Sequence, residues 1–426
     1  MKKSLLAIAL LSTPAMSGWY SIPLNDQEYK SADFTVAIMN NATELCGGQL
    51  VANQFVITAA HCVSKDKSLI KTYLTNGADD VTKGEIQTSL ANMSVFVGDK
   101  NRTLGERISA EWIQVRPSYI FGEDAQENID FNKQIQEEYG RVGWLNGDIA
   151  VIKLTKPYLQ NSSSNINTAP YIDQIELQGK NAIAFGWGVT ETDEIPTVIR
   201  QSNLTYNTVD SRINSDGGFG TFFYFDVEEY LVGERGSFTA SGDSGTPVMI
   251  DGKVMSYVTG SRTDNTEFSG AATFYHYPWL ASYVDAVNTI GQVSEEFSQT
   301  TSMSKTWTIP VQSMKVADVT FSTVLNDDSG LFSLNSSTCD GTFATGDVCE
   351  VSISFNVNGS DVTDTIKSKL ILSSDLEIPL SIENIYVAPP VEPPVEPPTA
   401  NKGSGGGSFG LFGLFGLIFI RFFKSK

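Results

Sequence analysis

A serine held between two glycines is the feature of this 426-residue chain that most restricts its fold. It occurs in the letters ASGDSGTPV, residues 240–248. Because glycine tolerates φ > 0 and lets other atoms approach the backbone closely, the pattern is typical of a tight turn that presents Ser244. On such a turn the N–H groups of Gly242 and Ser244 can point at one spot, where an acyl-transfer intermediate places its oxyanion. Taken alone, the nonapeptide fits a plain Gly/Ser/Asp loop between strands equally well.

Two upstream stretches decide between these interpretations. The letters TAAHC, which contain His61, follow an apolar run at residues 55–57 that is typical of a strand. The letters GDIAVIKL place Asp148 at the start of another strand. The chain has only two histidines, so His61 is nearly the only imidazole available as a base. The chain order His61, Asp148, Ser244 is that of the chymotrypsin-type arrangement.

The blocks TAAHC, GDIAVIKL and SGDSGTPV resemble the three signature blocks of the trypsin/chymotrypsin family. A GWG at residues 186–188 also stands where that family usually carries one. The resemblance covers residues 22–290 and implies an all-β fold of two six-stranded antiparallel barrels with a C-terminal helix. It implies a serine endopeptidase acting on protein substrates, in which His61 is the general base for Ser244 and Asp148 orients the imidazole. The backbone oxyanion hole described above belongs to the same arrangement.

The first departure from the family pattern concerns activation. Family members are usually cut after Arg or Lys, and the new N-terminus then pairs with the aspartate before the serine, here Asp243. The best candidate for that terminus is Ile22, although Ser21 is not basic and Pro23 is an unusual continuation. We expect the active enzyme to begin at Ile22 and to pair with Asp243, because an unpartnered buried carboxylate is costly.

The second departure concerns the specificity pocket. Six positions before Ser244 stands Phe238, where trypsins carry the aspartate that binds Lys or Arg side chains. Val258 and Gly270 are expected near the pocket walls. These residues predict a preference for apolar or small side chains before the scissile bond. Glu234 lies a few positions away and keeps a basic preference open as an alternative.

The four cysteines fall into two near pairs, Cys46 with Cys62 and Cys339 with Cys349. An even count in near pairs predicts two disulfides and an oxidising compartment, and the trypsin family usually bridges the first pair. No zinc-type Cys/His spacing is present, so neither a metal nor another cofactor is predicted. The formal net charge is −20 without a Lys/Arg run outside the termini, which argues against nucleic acid as a partner.

The rest of the chain predicts further modules beyond the peptidase-like region. Residues 291–304 are expected to be a polar linker. Residues 305–387 alternate short strands with turn residues and resemble a hydin-type immunoglobulin-like module, a small β-sandwich expected to be a spacer or docking unit. A generic β-sandwich with no binding role fits this pattern equally well. Residues 123–139 are acidic and amide-rich and are expected to form a solvated loop. The C-terminal helix of the peptidase-like region is expected to open at Pro278.

Both ends of the chain predict export. Residues 1–17 pass from basic to apolar to small residues, which is typical of a signal peptide removed by signal peptidase. Residues 388–408 form a Pro/Gly-rich spacer, and residues 409–426 an apolar run with a basic end. This tail resembles a GlyGly-CTERM sorting signal, which anchors a protein transiently in the inner membrane of a Gram-negative bacterium until a rhombosortase-type protease removes it. A permanent tail anchor is the alternative.

The predicted location is therefore the cell surface or the medium, reached through the periplasm. A second hypothesis for the whole chain is a surface-attached binding or scaffolding protein whose protease fold is catalytically dormant. The presence of His61, Asp148 and Ser244 together argues against dormancy.

Overall fold

The computed structural model describes residues 21–40, 44–64, 93–139, 143–144, 147–169, 179–190, 194–210, 219–220, 222–227, 239–261, 267–297, 302–358 and 365–384. The chain divides into two compact units, Met1–Tyr386 and Val387–Lys426. The second unit lies outside the described residues, as do the predicted signal peptide, proline-rich spacer and sorting tail. None of the helices in the described ranges is both long and apolar enough to pass through a membrane.

The secondary structure is mainly β. The first eight strands are β1 (Ile22–Pro23), β2 (Thr35–Asn40), β3 (Glu44–Val51), β4 (Phe55–Thr58), β5 (Met93–Val97), β6 (Glu106–Val115), β7 (Gly143–Trp144) and β8 (Ala150–Leu154). The next eight are β9 (Asn165–Ile166), β10 (Asn181–Gly186), β11 (Arg200–Asp210), β12 (Phe219–Gly220), β13 (Phe222–Val227), β14 (Pro247–Ile250), β15 (Lys253–Ser261) and β16 (Glu267–Ala272).

The remaining strands are β17 (Val287–Thr289), β18 (Val293–Phe297), β19 (Ser302–Ser313), β20 (Val319–Phe321), β21 (Val324–Asn326), β22 (Phe332–Ser337), β23 (Gly341–Phe343), β24 (Val348–Asn358), β25 (Ile366–Ser373) and β26 (Leu376–Asn384). The helices are α1 (Asp26–Tyr29), α2 (Ala60–Val63), α3 (Pro117–Phe121), α4 (Gln126–Tyr139) and α5 (Thr273–Val284), with a 3-10 turn at Gly122–Asp124.

Six strands close a barrel in the order β2-β3-β4-β8-β6-β5. Its interior is filled by buried aliphatic side chains, among them Val36, Ile38, Leu50, Val95, Ile113 and Ile152. Strands β4 and β8 are antiparallel neighbours with Thr58 opposite Ala150. Because His61 follows the end of β4 and Asp148 precedes β8, this pairing brings both residues to the same edge of the barrel.

A second set of strands pairs in the order β11-β10-β14-β15-β16-β13, and β13 pairs again with β11. Strands β1 and β9 flank this set by pairing with β11 and β15. A hydrophobic cluster that includes Ala182, Leu204, Tyr206, Val248, Met255 and Val258 lies among these strands. The turn that carries Ser244 comes directly before β14.

Residues 287–384, here called the C-terminal β module, contain two four-stranded sheets. Their orders are β17-β19-β24-β22 and β18-β26-β25-β21, and β20 pairs with β23 beside them. One hydrophobic cluster takes side chains from both sheets, including Ile309 and Phe355 from the first and Leu380 from the second. Burial between the two sheets therefore holds the module together.

The prediction of a polar linker at residues 291–304 is wrong. Strand β18 lies within it and pairs in parallel with β26, from Val293 opposite Leu380 to Phe297 opposite Asn384. Buried and more exposed side chains alternate along β18, which is the pattern of a strand with one covered face. Ser294 and Glu296 point outward and make the segment polar in sequence, which concealed this alternation.

Two helices also differ from expectation. The acidic segment predicted as a loop contains α4, in which two residues three positions apart face the protein: Asn128 is buried and Phe131 packs edge-on against Tyr275 at 5.4 Å. The C-terminal helix is present, but it begins at Thr273 and carries Pro278 in its interior.

The C-terminal β module meets the preceding residues of the same compact unit at a contact here called the junction. The fully buried Gln312 side chain donates to the Ile166 carbonyl at 2.7 Å and accepts the Ile166 N–H at 2.8 Å. The Tyr277 hydroxyl donates to the Ser313 carbonyl at 2.8 Å. Met314 is buried in one hydrophobic cluster with residues of both strand sets and of α5, among them Val51, Tyr257 and Leu280. The module is therefore packed against the peptidase-like region.

Candidate active site

His61 and Asp148 are joined by two hydrogen bonds. Nδ1 of His61 lies 2.8 Å from Oδ2 of Asp148, and the His61 backbone N–H donates to Oδ1 at 2.9 Å. The carboxylate thus forms hydrogen bonds with both the ring and the backbone of His61, which fixes the orientation of the imidazole. Because Asp148 takes Nδ1, Nε2 is the nitrogen left to act as a base. The His61 side chain is 34% exposed and the Asp148 side chain 12%.

Ser244 lies beside the short helix that carries His61. The Gly47 backbone N–H donates to the Ser244 carbonyl oxygen at 2.8 Å. The same oxygen lies 3.6 Å from Sγ of Cys62, the residue after His61. Cys62 is bonded to Cys46 on β3, and this disulfide was predicted from the sequence. Strand β3 and its disulfide therefore hold the serine backbone against the histidine-bearing segment.

The turn around Ser244 requires its glycines. Gly242 and Gly245 have φ values of +104° and +81°, in the region that favours glycine. A Cβ at Gly245 would lie 2.2 Å from Oγ1 of Thr58. The Gly245 N–H donates to the Val258 carbonyl at 2.7 Å. The turn is thus fixed between β4 and β15.

Asp243 is buried directly beside the nucleophile candidate. Its carboxylate accepts the Gly188 N–H at 2.7 Å and the Ala240 N–H at 2.9 Å. Within the described residues no cation contacts it, and burial raises its pKa to about 6 while the two N–H groups act in the opposite direction. A Cβ at Gly186 or Gly188 would lie 2.1 Å from an Asp243 oxygen. The GWG at residues 186–188 thus provides room for this carboxylate.

Ile22 and Asp243 are not paired in this uncut chain. Ile22 lies in β1 opposite Gln201 and is 51% exposed. Ser21, directly before it, is buried, and Arg200 donates to its hydroxyl at 3.0 Å and to its carbonyl at 2.5 Å. In the part of the chain that the structure describes, the hydrogen bonds to the Asp243 carboxylate come from the backbone groups of Gly188 and Ala240. The predicted pair remains a prediction about the processed enzyme.

The predicted pocket residues are described in part. Val258 and Gly270 are cross-strand partners on β15 and β16. Val258 also follows the buried Tyr257 and accepts the N–H of the turn residue Gly245. Phe238 and Glu234 lie outside the described residues. The primary specificity therefore stays a prediction from the sequence.

Three potential metal donors converge near the site. The ligand atoms of Cys46, His61 and Cys62 lie within 4.8 Å of one another. Both sulfurs belong to a disulfide, however, and only a thiolate sulfur binds zinc. The three residues are therefore a disulfide next to a histidine and do not have the ligand chemistry of a zinc site.

Sequence reasoning missed the role of Gly47. A Cβ at this position would lie 2.1 Å from Cγ2 of Thr246, which follows the Ser244 turn. The glycine therefore lets β3 approach the turn closely enough for its N–H to reach the Ser244 carbonyl. The Gly-Gly after Cys46 was the available signal.

Comparison with known proteins places the chain in a family. The family model described as Trypsin matches residues 24–109 and 114–280, more than half of the chain. The chain belongs to the trypsin family of serine peptidases. His61, Asp148 and Ser244 all lie within the matched segments.

The relatives are distant. The chymotrypsin of Phaedon cochleariae is 26% identical over 221 residues, which are 51% of this chain and 63% of that protein. The trypsin of the same species is 24% identical over 238 residues, 53% of this chain and 71% of that protein. Among solved structures, the secreted serine protease VesC from Vibrio cholerae is 19% identical with a TM-score of 0.42, over 87% of this chain and 72% of that chain. The chain spans less than two thirds of the first of these relatives.

Proposed function

We propose that this protein is a secreted serine endopeptidase that cleaves peptide bonds in proteins through Ser244, His61 and Asp148. The observation that carries the proposal is the two-point contact between His61 and Asp148, at 2.8 and 2.9 Å, with the Ser244 turn packed alongside. A serine hydroxyl is a weak nucleophile unless a base takes its proton, and this arrangement supplies such a base.

The reaction proceeds in two halves. Oγ of Ser244 attacks the substrate carbonyl carbon while Nε2 of His61 takes the hydroxyl proton. The N–H groups of Gly242 and Ser244 stabilise the oxyanion that forms. When the C–N bond breaks, His61 returns the proton to the leaving amine and an acyl-enzyme remains. Water then attacks the ester with His61 again as base, which releases the acid product and Ser244.

We also propose that the ring of pairings through β10, β11 and β13 to β16 is the second barrel of the fold, and that the C-terminal β module is an immunoglobulin-like sandwich of the hydin type. Two four-stranded sheets around one hydrophobic cluster support the second assignment. The disulfide Cys339–Cys349, predicted from the sequence, adds support because small sandwiches gain stability from such links.

Maturation is proposed to release Ile22, whose amine then pairs with Asp243. The support is a carboxylate that is buried without a cation among the described residues of the uncut chain and whose pKa is raised by that burial. An ammonium group would offset the cost of burying the charge. Phe238 predicts cleavage after apolar or small side chains, and an Arg- or Lys-directed profile in a peptide library would instead indicate Glu234.

Export and sorting complete the proposal. The two disulfides support an oxidising compartment. We propose that signal peptidase removes the N-terminal segment and that a rhombosortase-type protease removes residues 409–426 after transient membrane anchoring. Intact-mass measurement of the extracellular protein tests this, because a mass that includes the tail would indicate a permanent anchor.

The central experiment is covalent labelling by a fluorophosphonate probe. The wild-type protein, prepared with an N-terminus at Ile22, is expected to label and to cleave casein, whereas Ser244→Ala is expected to do neither. Absence of labelling in that preparation would support the dormant binding or scaffolding protein instead.

A further inference from the structure

A partly buried ion pair attaches α4 to the segment that precedes Asp148. Nε of Arg116 lies 3.0 Å from Oε2 of Glu127, and the two side chains are 8% and 22% exposed. The second carboxylate oxygen of Glu127 accepts the Ser118 backbone N–H. The Arg116 guanidinium also lies 5.6 Å from the centre of the Trp279 ring on α5. Glu127 thus holds a turn whose arginine is anchored on a separate helix.

The same turn contacts the chain on both sides of Asp148. A Cβ at Gly147 would lie 2.1 Å from Oγ of Ser118 and 2.3 Å from the Tyr119 nitrogen. The Arg116 backbone N–H donates to the Ile149 carbonyl at 3.2 Å. Residues 147 and 149 are therefore both packed against the segment that Glu127 holds.

Tyr119 provides separate evidence that the turn lies close to the catalytic carboxylate. Burial raises the pKa of its phenol well above the usual range, and the charge of Asp148 raises it further. This electrostatic effect agrees with the packing of the turn against residues 147 and 149.

We infer that Glu127 and Arg116 are positioning residues for Asp148: their ion pair presses the turn at residues 116–119 against residues 147 and 149. This contact sets where the Asp148 carboxylate meets His61. The inference rests on the proposed function, because it assigns a role to α4 in the same triad. Helix α4 then supports the position of Asp148.

The test compares Glu127→Gln with Glu137→Gln. The two substitutions make the same chemical change on the same helix, but Glu137 is exposed. Glu127→Gln keeps an oxygen for the Ser118 N–H and removes the charge beside Arg116. We expect kcat/KM for a peptide substrate to fall about tenfold in Glu127→Gln, mainly through kcat, because misplacement of a catalytic group by a fraction of an ångström is costly. Glu137→Gln is expected to keep the wild-type values.

A second readout is independent of turnover. The chain has two histidines, so the imidazole ¹H–¹⁵N spectrum is simple to assign. The Nδ1–H resonance of His61, which reports the short contact with Asp148, is expected to move upfield in Glu127→Gln and to stay in place in Glu137→Gln. An unchanged resonance and an unchanged kcat in Glu127→Gln would overturn the inference.

The two proposals fail in different ways. If the wild type is inactive but the His61 resonance still moves in Glu127→Gln, the proposed endopeptidase function is wrong and the positioning role of Glu127 is supported. If the wild type is active but Glu127→Gln changes neither measurement, the endopeptidase function is supported and the positioning role is wrong. If Glu127→Gln does not fold, Glu127→Asp keeps the charge but is too short to make both contacts, and the same two measurements apply with the same expected directions.

Discussion

The candidate triad and the junction are both built from hydrogen-bonded polar side chains, but these side chains sit in different places. His61 lies in the short helix after β4, Asp148 just before β8 and Ser244 in a turn, and His61 keeps 34% of its side chain exposed. At the junction, Gln312 and Asn288 lie within β19 and β17 and are fully buried. Groups at strand ends can meet a substrate, whereas a buried amide must satisfy its donors and acceptors within the protein.

The buried side-chain amide of Asn288 has hydrogen-bond partners for both its oxygen and its nitrogen. Its Oδ1 accepts the Ala52 N–H at 3.2 Å and the Ser163 hydroxyl at 3.2 Å, and its Nδ2 donates to the Ser164 carbonyl at 3.1 Å. The candidate triad is therefore arranged to reach a substrate, whereas the junction is arranged to stabilise the packing of the C-terminal β module. Substitutions should therefore separate into those that change rate and those that change stability.

The largest effect is expected in the triad. Ser244→Ala, His61→Ala and Asp148→Asn should each lower casein cleavage by about a hundredfold or more, because a positioned general base alone contributes about 10²–10⁴-fold. Their urea unfolding midpoints should stay near the wild-type value. Full activity in Ser244→Ala would remove the nucleophile assignment and with it this half of the comparison.

At the junction, Met314→Ala is expected to lower the free energy of unfolding by about 2–5 kcal/mol, the usual cost of such a cavity. Met314 is fully buried, whereas the nearby Val316 is 63% exposed and provides the control Val316→Ala. Urea unfolding measures both, and the fluorophosphonate labelling rate of folded Met314→Ala should match the wild type. Equal stability of the two variants would mean that the module is not packed as described.

Asp243 is an exception to this division, because it is a buried carboxyl group next to the candidate triad. Its pKa in the fold, about 6, lies above the ordinary aspartate value of 3.8, so the folded state binds the proton more tightly. The stability that this provides is complete below about pH 4 and is lost as pH rises through about 6. The loss amounts to about 3 kcal/mol.

Urea unfolding of the uncut wild type and of Asp243→Asn at pH 4 and pH 8 measures this contribution. The variant lacks the titrating group, so the stability difference between the two proteins should change with pH by about that amount. A difference that is constant between the two pH values would show that Asp243 does not titrate in this range.

The smallest effect is expected at the rim of the junction. Glu295 pairs with Lys30 at 3.3 Å and also with Lys305. Its own side chain is 13% exposed, but the two lysine side chains are 46% and 33% exposed. Because water screens the lysine charges, Glu295→Gln should change the free energy of unfolding by less than about 1 kcal/mol, and less still at high salt. A loss as large as that in Met314→Ala would show that the rim contributes as much as the buried centre.

The sequence by itself determined the parts of this protein that depend on short-range chemistry. The three blocks around His61, Asp148 and Ser244 could be recognised because a nucleophile turn needs particular glycines. The histidine and the aspartate each stand in a short block next to a predicted strand. Both disulfides were predictable because their partners are only 16 and 10 positions apart. The first barrel and the C-terminal helix followed from the family resemblance that these blocks carry.

Only the tertiary structure decided the contacts between distant segments. Gln312 and Ile166 are 146 positions apart, and a glutamine in an alternating strand is equally compatible with an exposed face. Likewise, β18 reads as polar until β26 lies beside it, and α4 reads as a solvated acidic loop until Arg116 pairs with Glu127. A polar side chain carries no local mark of being buried. Burial of such a side chain becomes favourable only when the fold brings a hydrogen-bonding or charged partner next to it, and that partner determines its role.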